Sequence, residues 1–392
     1  MSSNTVFSQL LQLISRSRFK RCVDQYEGDK YTKRLSCWQQ LIVLLFAQAK
    51  GLSSLRDIEV SLRSHERKWY HLGLMNVARS TLSDANSNRS ADIFREVFYS
   101  FLEKCRELAP KHTFKFKNPL YTFDSTLIRV CLSLFSWAQY RTKKGAFKIH
   151  TLLDHSGYLP SFLVITDGKT HDVKVAKDDS YGFPELSPDS ILLIDRAFID
   201  YKWLYSLTMQ KLFFVTRAKS NMHYEIVGQQ PVHQKKGVVQ DTRIRLAGFY
   251  QKKKYPKDLR MVIYKDPEND EELMFITNNF MLAARTIADL YKSRWEVETF
   301  FKWIKQNLTI KSFIGTTQNA VMTQIWTAMI YYLLLSFIKF QTKCRHSLHE
   351  LTRIVGELLI DHISLIETLT IPFTRYKQIT QQQGQLSLNL KF

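Results

Sequence analysis

The apolar positions of this chain change period twice, and each change marks a change of structure. From residue 5 to 106 they recur at helical intervals. Val6, Leu10, Leu11 and Leu13 open one helix, Leu41 to Gln48 form an apolar one, and Leu52 to Arg63 follow Gly51. Ser90-Ala91-Asp92 starts another, through Phe94, Val97, Phe98, Phe101 and Leu102. The run RSTLSDANSNRS between them is made of short polar residues, which favour caps and turns. ELAPKHTFKFKNP reads as a connector, and beyond it the pattern alternates. LYTFDSTLI (Leu120 to Ile128) is rich in β-formers, and Phe147 to Leu153 and Tyr158 to Thr166 are strands joined by the turn Asp154-His155-Ser156-Gly157. A helix over His171 to Ser180, a short buried strand from Ser190 to Ile194, a helix over Ile199 to Met209 and a strand from Leu212 to Thr216 follow. Ser220 to Asn279 alternates again, with turn residues throughout, and ends in the strand LMFIT. Helical spacing then returns for Tyr291 to Leu308, for about Ala320 to Phe340 and for about Ser347 to Thr368, before a loose polar tail, QITQQQGQLSLNLKF.

Three strands, a helix, a strand, a helix and a strand is the element order of an RNase H-like core. The expected fold class is therefore α/β: an RNase H-like core with a β-rich insertion, preceded by an α-helical N-terminal domain and followed by C-terminal helices. The expected boundaries are 1–110 for the helical domain, 114–219 and 281–343 for the two parts of the core, 220–280 for the insertion and 344–392 for the C-terminal helix and tail. Short helices with basic flanks in the first region suit a helix-turn-helix reader of DNA, or a plain helical bundle.

Charge narrows the partners. The 392 residues carry a formal net charge of +20 with an ordinary 45% hydrophobic content, so the chain is a globular protein and not a basic tail. A folded chain this basic suits a polyanion, nucleic acid first and an anionic membrane surface second. The excess is concentrated. Residues 211–260 hold twelve Lys or Arg against Glu225, Asp241 and Asp258, with Lys252, Lys253 and Lys254 in a row. Such a segment fits a phosphate-binding platform, or a solvated β-layer whose lysines blunt its edges. Five scattered cysteines without a ligand pattern indicate neither a disulfide framework nor a zinc site, and fit a reducing cytoplasm. The N-terminus shows no secretion signal. The apolar run Ile325 to Phe340 is short and carries Thr327, Ser336 and Lys339, so it reads as a buried helix.

The chemistry gathers around Tyr291 to Leu308. Projected at 3.6 residues per turn, Leu290, Val297, Phe301, Ile304 and Leu308 fall on one side, and Tyr291, Arg294, Glu298 and Lys305 on an adjacent one. Periodicity alone allows a solvated face here, with Glu298 and Lys302 as a weak surface pair. Upstream, Asp124 lies inside a strand in FDST, where a carboxylate needs a partner or a metal. Asp195 ends the strand ILLID, at a strand end where ligands commonly bind. Each also has a structural reading: Asp195 as a helix cap, Asp124 hydrogen-bonded to Ser125 or Thr126. In the strand order above, Asp124, Asp195 and Glu298 converge. Three carboxylates share a small site only if a cation neutralises them. Oxygen-only ligands suit Mg²⁺ or Mn²⁺, and two such ions roughly 4 Å apart suit an in-line phosphoryl transfer.

The spacing Tyr291, Arg294, Glu298, Lys305 resembles the Y-R-E-K signature of bacterial insertion-sequence DDE transposases, the group called family four. FDST resembles that family's first-aspartate motif and IDRAF its second. TNN at 277–279, GKTHD at 168–172 and FVTRAKSN at 214–221 also look like family blocks. The resemblance covers about 114–340. It implies metal-dependent cleavage and strand transfer at the ends of an insertion sequence, with Tyr291, Arg294 and Lys305 on DNA phosphates near the scissile bond. Arg217 and Lys219 are expected as further DNA contacts, and the charge of the insertion adds Lys252, Lys253 and Lys254 to that expectation. The resemblance implies as partners the terminal inverted repeats and target DNA, a homodimer on two ends, and a place in the cytoplasm, on the nucleoid. Two features depart from the family. Ala197 stands where glycine is common, and Ser220 to Asn279 lacks the tryptophan with which hairpin-forming relatives stack a flipped base. Tyr224, Phe249, Tyr250 or Tyr255 are the available substitutes. The rival readings are a structure-selective nuclease on the same core and a non-catalytic DNA-binding protein derived from a transposase.

Overall fold

A computed structural model describes residues 4–69, 77–141, 144–232, 237–267, 270–307 and 314–370. The polar tail falls outside them. The chain forms two compact units, residues 1–110 with 303–392 and residues 111–302.

The first unit is helical. It begins with α1 (Val6–Gln12), α2 (Arg16–Gln25), α3 (Cys37–Lys50), α4 (Leu55–Ser64), α5 (Glu66–Trp69), α6 (Arg79–Asn88) and α7 (Asp92–Leu108). Ser36 and Gln39 close a reciprocal capping box at the start of α3, and Gly51 ends it in the left-handed conformation, φ 64°. Leu41 to Ala47 are buried without a break, so α3 is an interior helix. The run read as turns, RSTLSDANSNRS, is instead α6. Its polar residues favour caps, but Leu82 and Ala85 are buried and Asn86 accepts a hydrogen bond from Gln40 inside the unit, so packing overrides propensity.

The second unit is built on one sheet. Its elements are β1 (Leu120–Val130), β2 (Gln139–Arg141), β3 (Lys144–Asp154), β4 (Leu159–Asp167), α8 (Asp172–Lys177), β5 (Ile191–Ile194), α9 (Tyr201–Met209), β6 (Phe213–Arg217), β7 (Tyr224–Gln229), β8 (Val238–Leu246), α10 (Phe249–Lys254), β9 (Leu259–Lys265), β10 (Glu272–Thr277), α11 (Ala284–Ser293) and α12 (Glu296–Asn307). The strand order runs β3-β1-β5-β6-β10-β9-β8-β7, with β2 and β4 both paired to β3. β1, β3 and β4 form an antiparallel meander, while β1, β5 and β6 are parallel. That is the RNase H-like pattern expected from the element order. The insertion is not a separate layer. Its β10 pairs with β6, and β9, β8 and β7 continue the same sheet.

Alternation along the strands makes two cores. Phe123, Leu152, Ile194 and Phe214 face α8 and α9, which add Val175, Trp203, Leu204 and Leu207. Leu120, Ile191, Leu193, Val215 and Phe275 face the other way, under Ile287, Ala288 and Leu290 of α11.

The expected single helix over Tyr291 to Leu308 is broken. Arg294, Trp295, Val297 and Glu298 each donate a backbone bond to the carbonyl three residues back, and α11 ends at Ser293 while α12 begins at Glu296. No proline or glycine announces this turn. It is a tightening from i−4 to i−3 bonding, the geometry that marks hinges within helices. The boundary between the two units falls inside α12, after Lys302.

The first unit is completed by α13 (Gln318–Thr342), α14 (Leu348–Leu358) and α15 (Leu365–Thr370). α13 is long and apolar enough to cross a membrane, yet its most apolar stretch is almost wholly buried within the unit, as the sequence suggested for Ile325 to Phe340. The helix expected over Ser347 to Thr368 is two helices. Leu351, Val355, Leu359, Leu365 and Leu369 are buried in the unit, and Leu359 and Asp361 accept hydrogen bonds from the backbone of Phe7 and Val6.

One buried histidine makes stability depend on pH. His155 Nε2 lies 2.7 Å from the Thr122 hydroxyl, and burial, with the nearby charge of His112, pulls its pKa from 6.5 down to about 4. The folded ring is thus neutral where the unfolded one takes up a proton. Stability from this group is complete above pH 6.5 and declines as pH falls toward 4, by about 1.4 kcal/mol per unit. His155→Gln should remove roughly 2 kcal/mol of the difference between pH 7 and pH 5 in urea melts. An unaltered pH dependence would mean that His155 is not a buried neutral ring.

Candidate active site

Asp124 follows Phe123 on β1, so alternation that buries Phe123 against α9 turns Asp124 toward α11. Phe123 pairs with Ile194 across the parallel β1–β5 ladder. The next residue on each strand is an aspartate, so register sets Asp124 and Asp195 side by side. Asp195 Oδ1 accepts the Ala197 N–H at 2.9 Å and opens a short 3₁₀ turn, Arg196–Phe198. The cap and the candidate site therefore use the same carboxylate. Ala197 is exposed, which leaves room for its methyl group.

The break between α11 and α12 supplies the third acid and a cation. Arg294, only 6% exposed, donates through Nη1 to Asp124 Oδ2 at 2.9 Å and through Nη2 to Glu298 Oε1 at 3.4 Å. Its guanidinium also lies 5.5 Å from the centre of the Tyr291 ring. Burial pushes the Asp124 carboxyl up to about 6. Arg294 and the Ser125 N–H oppose that rise, while Asp195 and Glu298 add to it. Asp124 thus feels the charge of both other acids beside one buried guanidinium. Among the described residues, no three His, Cys, Asp or Glu side chains are gathered closely enough to hold a metal ion as they stand. The donor set still fits one. It is oxygen-only, crowded with negative charge, and already organised about a positive group.

The sequence-derived contacts divide into two sets. Tyr291 is half-buried on α11 with its ring 4.9 Å from Phe275, and burial raises its hydroxyl pKa. Arg217 ends β6 on the same face as Val215, near enough to influence Tyr291, and donates to Glu271 at 2.6 Å. These two join Asp124, Asp195, Arg294 and Glu298. Lys219 instead reaches the Ile199 carbonyl at 3.3 Å. Lys305 is exposed further along α12. Lys252, Lys253 and Lys254 are exposed on α10 with no ion pair to any described residue. That helix is anchored by Tyr255 against Tyr205 and Thr208 of α9, on the sheet face opposite the acids.

Other side chains escaped the sequence reading. On the reverse face of β1, Ser125 donates to Asp172 Oδ1 at 2.7 Å, and Lys148 reaches the same oxygen at 3.1 Å. The peptide N–H of Ser125 meanwhile donates to Asp124 Oδ1. Asp172 thereby ties down the residue next to Asp124. Its signal was the block GKTHD, whose Gly168 packs where a Cβ would meet the Tyr140 ring at 2.6 Å. TNN proves to be a fastening. Asn278 bonds to Phe214, Thr208 and Leu212, and Asn279 caps Met281 and Leu282.

Residues 115–334 match the Transposase DDE domain family, and residues 2–75 match a Domain of unknown function (DUF4372). A protein of Geobacillus stearothermophilus named "Probable transposase for insertion sequence element IS5377" is 31% identical over 280 residues, 69% of this chain and 70% of that one. The protein y4zB of Sinorhizobium fredii, also named as a transposase, is 33% identical over 258 residues, 65% of this chain and 69% of that one. A solved piggyBac transposase synaptic complex with hairpin DNA aligns at a TM-score of 0.45 and 11% identity, covering 97% of this chain and 85% of that one, too loosely for comparison by residue. The family match spans more than half of the chain and takes in both aspartates, Arg294 and Glu298: the chain belongs to the DDE transposases, enzymes that cut DNA and transfer its strands.

Proposed function

We propose that this transposase cuts at the ends of its own insertion element and joins them to target DNA, with Asp124, Asp195 and Glu298 holding two divalent ions, Mg²⁺ or Mn²⁺. What supports the assignment is the β1–β5 register, which sets Asp124 beside Asp195, together with the Arg294 bridge from Asp124 to Glu298. DDE transposase domains are generally dependent on divalent metal. Such ions, when bound, activate a water or a 3′-hydroxyl and stabilise the leaving oxygen. The remaining work belongs to the protein. Asp195 keeps one oxygen on the Ala197 N–H, which fixes its carboxylate plane. Tyr291, Arg217 and Arg294 stand on the acids' face and receive the phosphates beside the scissile bond; Lys305 is assigned a phosphate contact of its own. Charge there lowers the repulsion between acids and backbone phosphate.

The three lysines of α10 serve a different part of the DNA. Edge protection does not explain them, because they lie on a helix and not on the outer strand β7. We assign them, with Lys219, to flanking duplex away from the scissile phosphate. In the first unit α2 exposes Arg16, Arg18, Lys20 and Arg21, a basic face suited to the element's end. Two ends must be held while each is cut, so the active species is a homodimer on two duplexes, acting at the nucleoid in the cytoplasm. α14 buries Leu351 and Val355 and α15 buries Leu365 and Leu369, each helix keeping its other face in solvent, and we place the protomer contacts on those exposed faces.

Three outcomes are expected. Glu298→Gln keeps shape and removes charge; it should leave end binding within about twofold and lower cleavage at least 100-fold. Cutting at the wild-type rate would remove Glu298 from the site. Replacing Lys252, Lys253 and Lys254 with Ala should flatten the dependence of DNA affinity on salt by up to about 3 in log–log slope, one per lost phosphate contact. An unchanged slope would mean that α10 does not touch DNA. In Ca²⁺, labelled end fragments of two lengths should appear together in one complex. Efficient cutting by a species that only ever holds one duplex would contradict the dimer.

A further inference from the structure

A guanidinium among carboxylates solves the same problem that a metal ion solves. Asp124 and Glu298 present the oxygens that divalent ions would need, and Arg294 already holds one oxygen of each. An arginine is charged at every working pH, and its planar fork spans two carboxylates as a point charge does not. Arg294 is 6% exposed, and its Nε has no hydrogen-bond partner among the described residues. Its grip is therefore firm on Asp124 at 2.9 Å, loose on the more exposed Glu298 at 3.4 Å, and unfinished at Nε. The residue also sits where the backbone tightens between α11 and α12, so its side chain starts from a bend and not from a regular helical row. On the acid face its neighbours are Tyr291 and Asp195, and Arg217 lies beyond Tyr291.

We propose that Arg294 is a displaceable internal counter-cation, competing with divalent ions for Asp124 and Glu298 and passing to a DNA phosphate when they bind. This rests on the assignment of the acids to metal. One guanidinium cannot saturate the two carboxylates and a phosphate together. Whatever draws it to phosphate opens the acids, and whatever occupies the acids frees it for phosphate. Metal and DNA then strengthen each other's binding, and by linkage the factor is the same in both directions. The device keeps a crowded acid site neutralised in the absence of DNA and delays metal loading until a phosphate is at hand.

The test is Mn²⁺ binding, read from the signal of the free ion in electron paramagnetic resonance, on the full chain without DNA. Arg294→Gln should bind Mn²⁺ about tenfold tighter than wild type, about 1.4 kcal/mol. Arg294→Lys, which keeps the charge and loses the fork, should fall between. A short duplex of arbitrary sequence should tighten Mn²⁺ binding to the wild type and do so much less in Arg294→Gln. In EDTA the Gln variant should melt lower than wild type, and Mn²⁺ should raise its melting temperature by more. If the Gln variant is too unstable to titrate, the Lys variant carries the same comparison. Asp124→Asn separates the two claims. If it binds Mn²⁺ as wild type does, the acids do not hold the metal and the underlying assignment fails. If it loses Mn²⁺ while neither Arg294 variant gains affinity, the metal site stands and the competition is wrong.

Discussion

Carboxylates that share a mostly buried site repel one another and lose water, so something positive must stand between them. In this protein the something is Arg294, and much of the second unit exists to put it there. The β1–β5 register brings Asp124 beside Asp195. The apolar underside of α11, Ile287, Ala288 and Leu290, lays that helix over the same face. The tight turn after Ser293 then swings Arg294 inward and leaves Glu298 in the first turn of α12. Had the helix run straight, Arg294 and Glu298 would still be neighbours one turn apart, but the side chain of Arg294 would follow a regular helical row. The bend ties a local backbone change to the electrostatics of the site.

The rest of the sheet supports that geometry from behind. Ser125 is held from the reverse face by Asp172 and Lys148, and its N–H holds Asp124. Asn278 fastens β10 to β6, so the strand leading into α11 cannot drift from the core. The insertion continues the sheet and carries its own buried ion pair, Arg260 with Asp241, whose arginine also bonds the carbonyls of Asn279 and Leu282 just before α11. A segment that looked like a separate platform is thus also a brace for the signature helices. Its positive charge is accordingly of two kinds. Arg245 and Arg260 are paired with acids, whereas Lys252, Lys253 and Lys254 face water.

Much of this was legible in the order of residues. Alternation located β1 and the β3–β4 hairpin, while short apolar runs located β5 and β6, whose two faces lie in the two cores. Asp124 stood out because it lies inside a strand of β-formers, and Asp195 because it ends a short apolar one. The break at Arg294 was not legible: no proline or glycine marks it, and it arises from how α11 packs. α6 was missed because its polar residues resemble a turn until Leu82 and Ala85 find a core. The α10 lysines were seen as a charge run, but nothing in the run says which face of the sheet they occupy. Asp172 was hidden in a motif whose glycine and threonine only make a turn. In each case the missing information was a contact far along the chain.

The central claim is that the acids around Arg294 make a metal-dependent centre that both cuts and joins. Its most direct measurement is to incubate the purified protein with DNA carrying the ends of its element, a target plasmid and Mg²⁺ or Mn²⁺, and to score both products. The account predicts nicks or breaks at the element's end and covalent joining of that end to the target, both absent in EDTA. Cutting without joining under any of these conditions would contradict it in favour of a nuclease. Joining that persists in EDTA would contradict the metal centre itself.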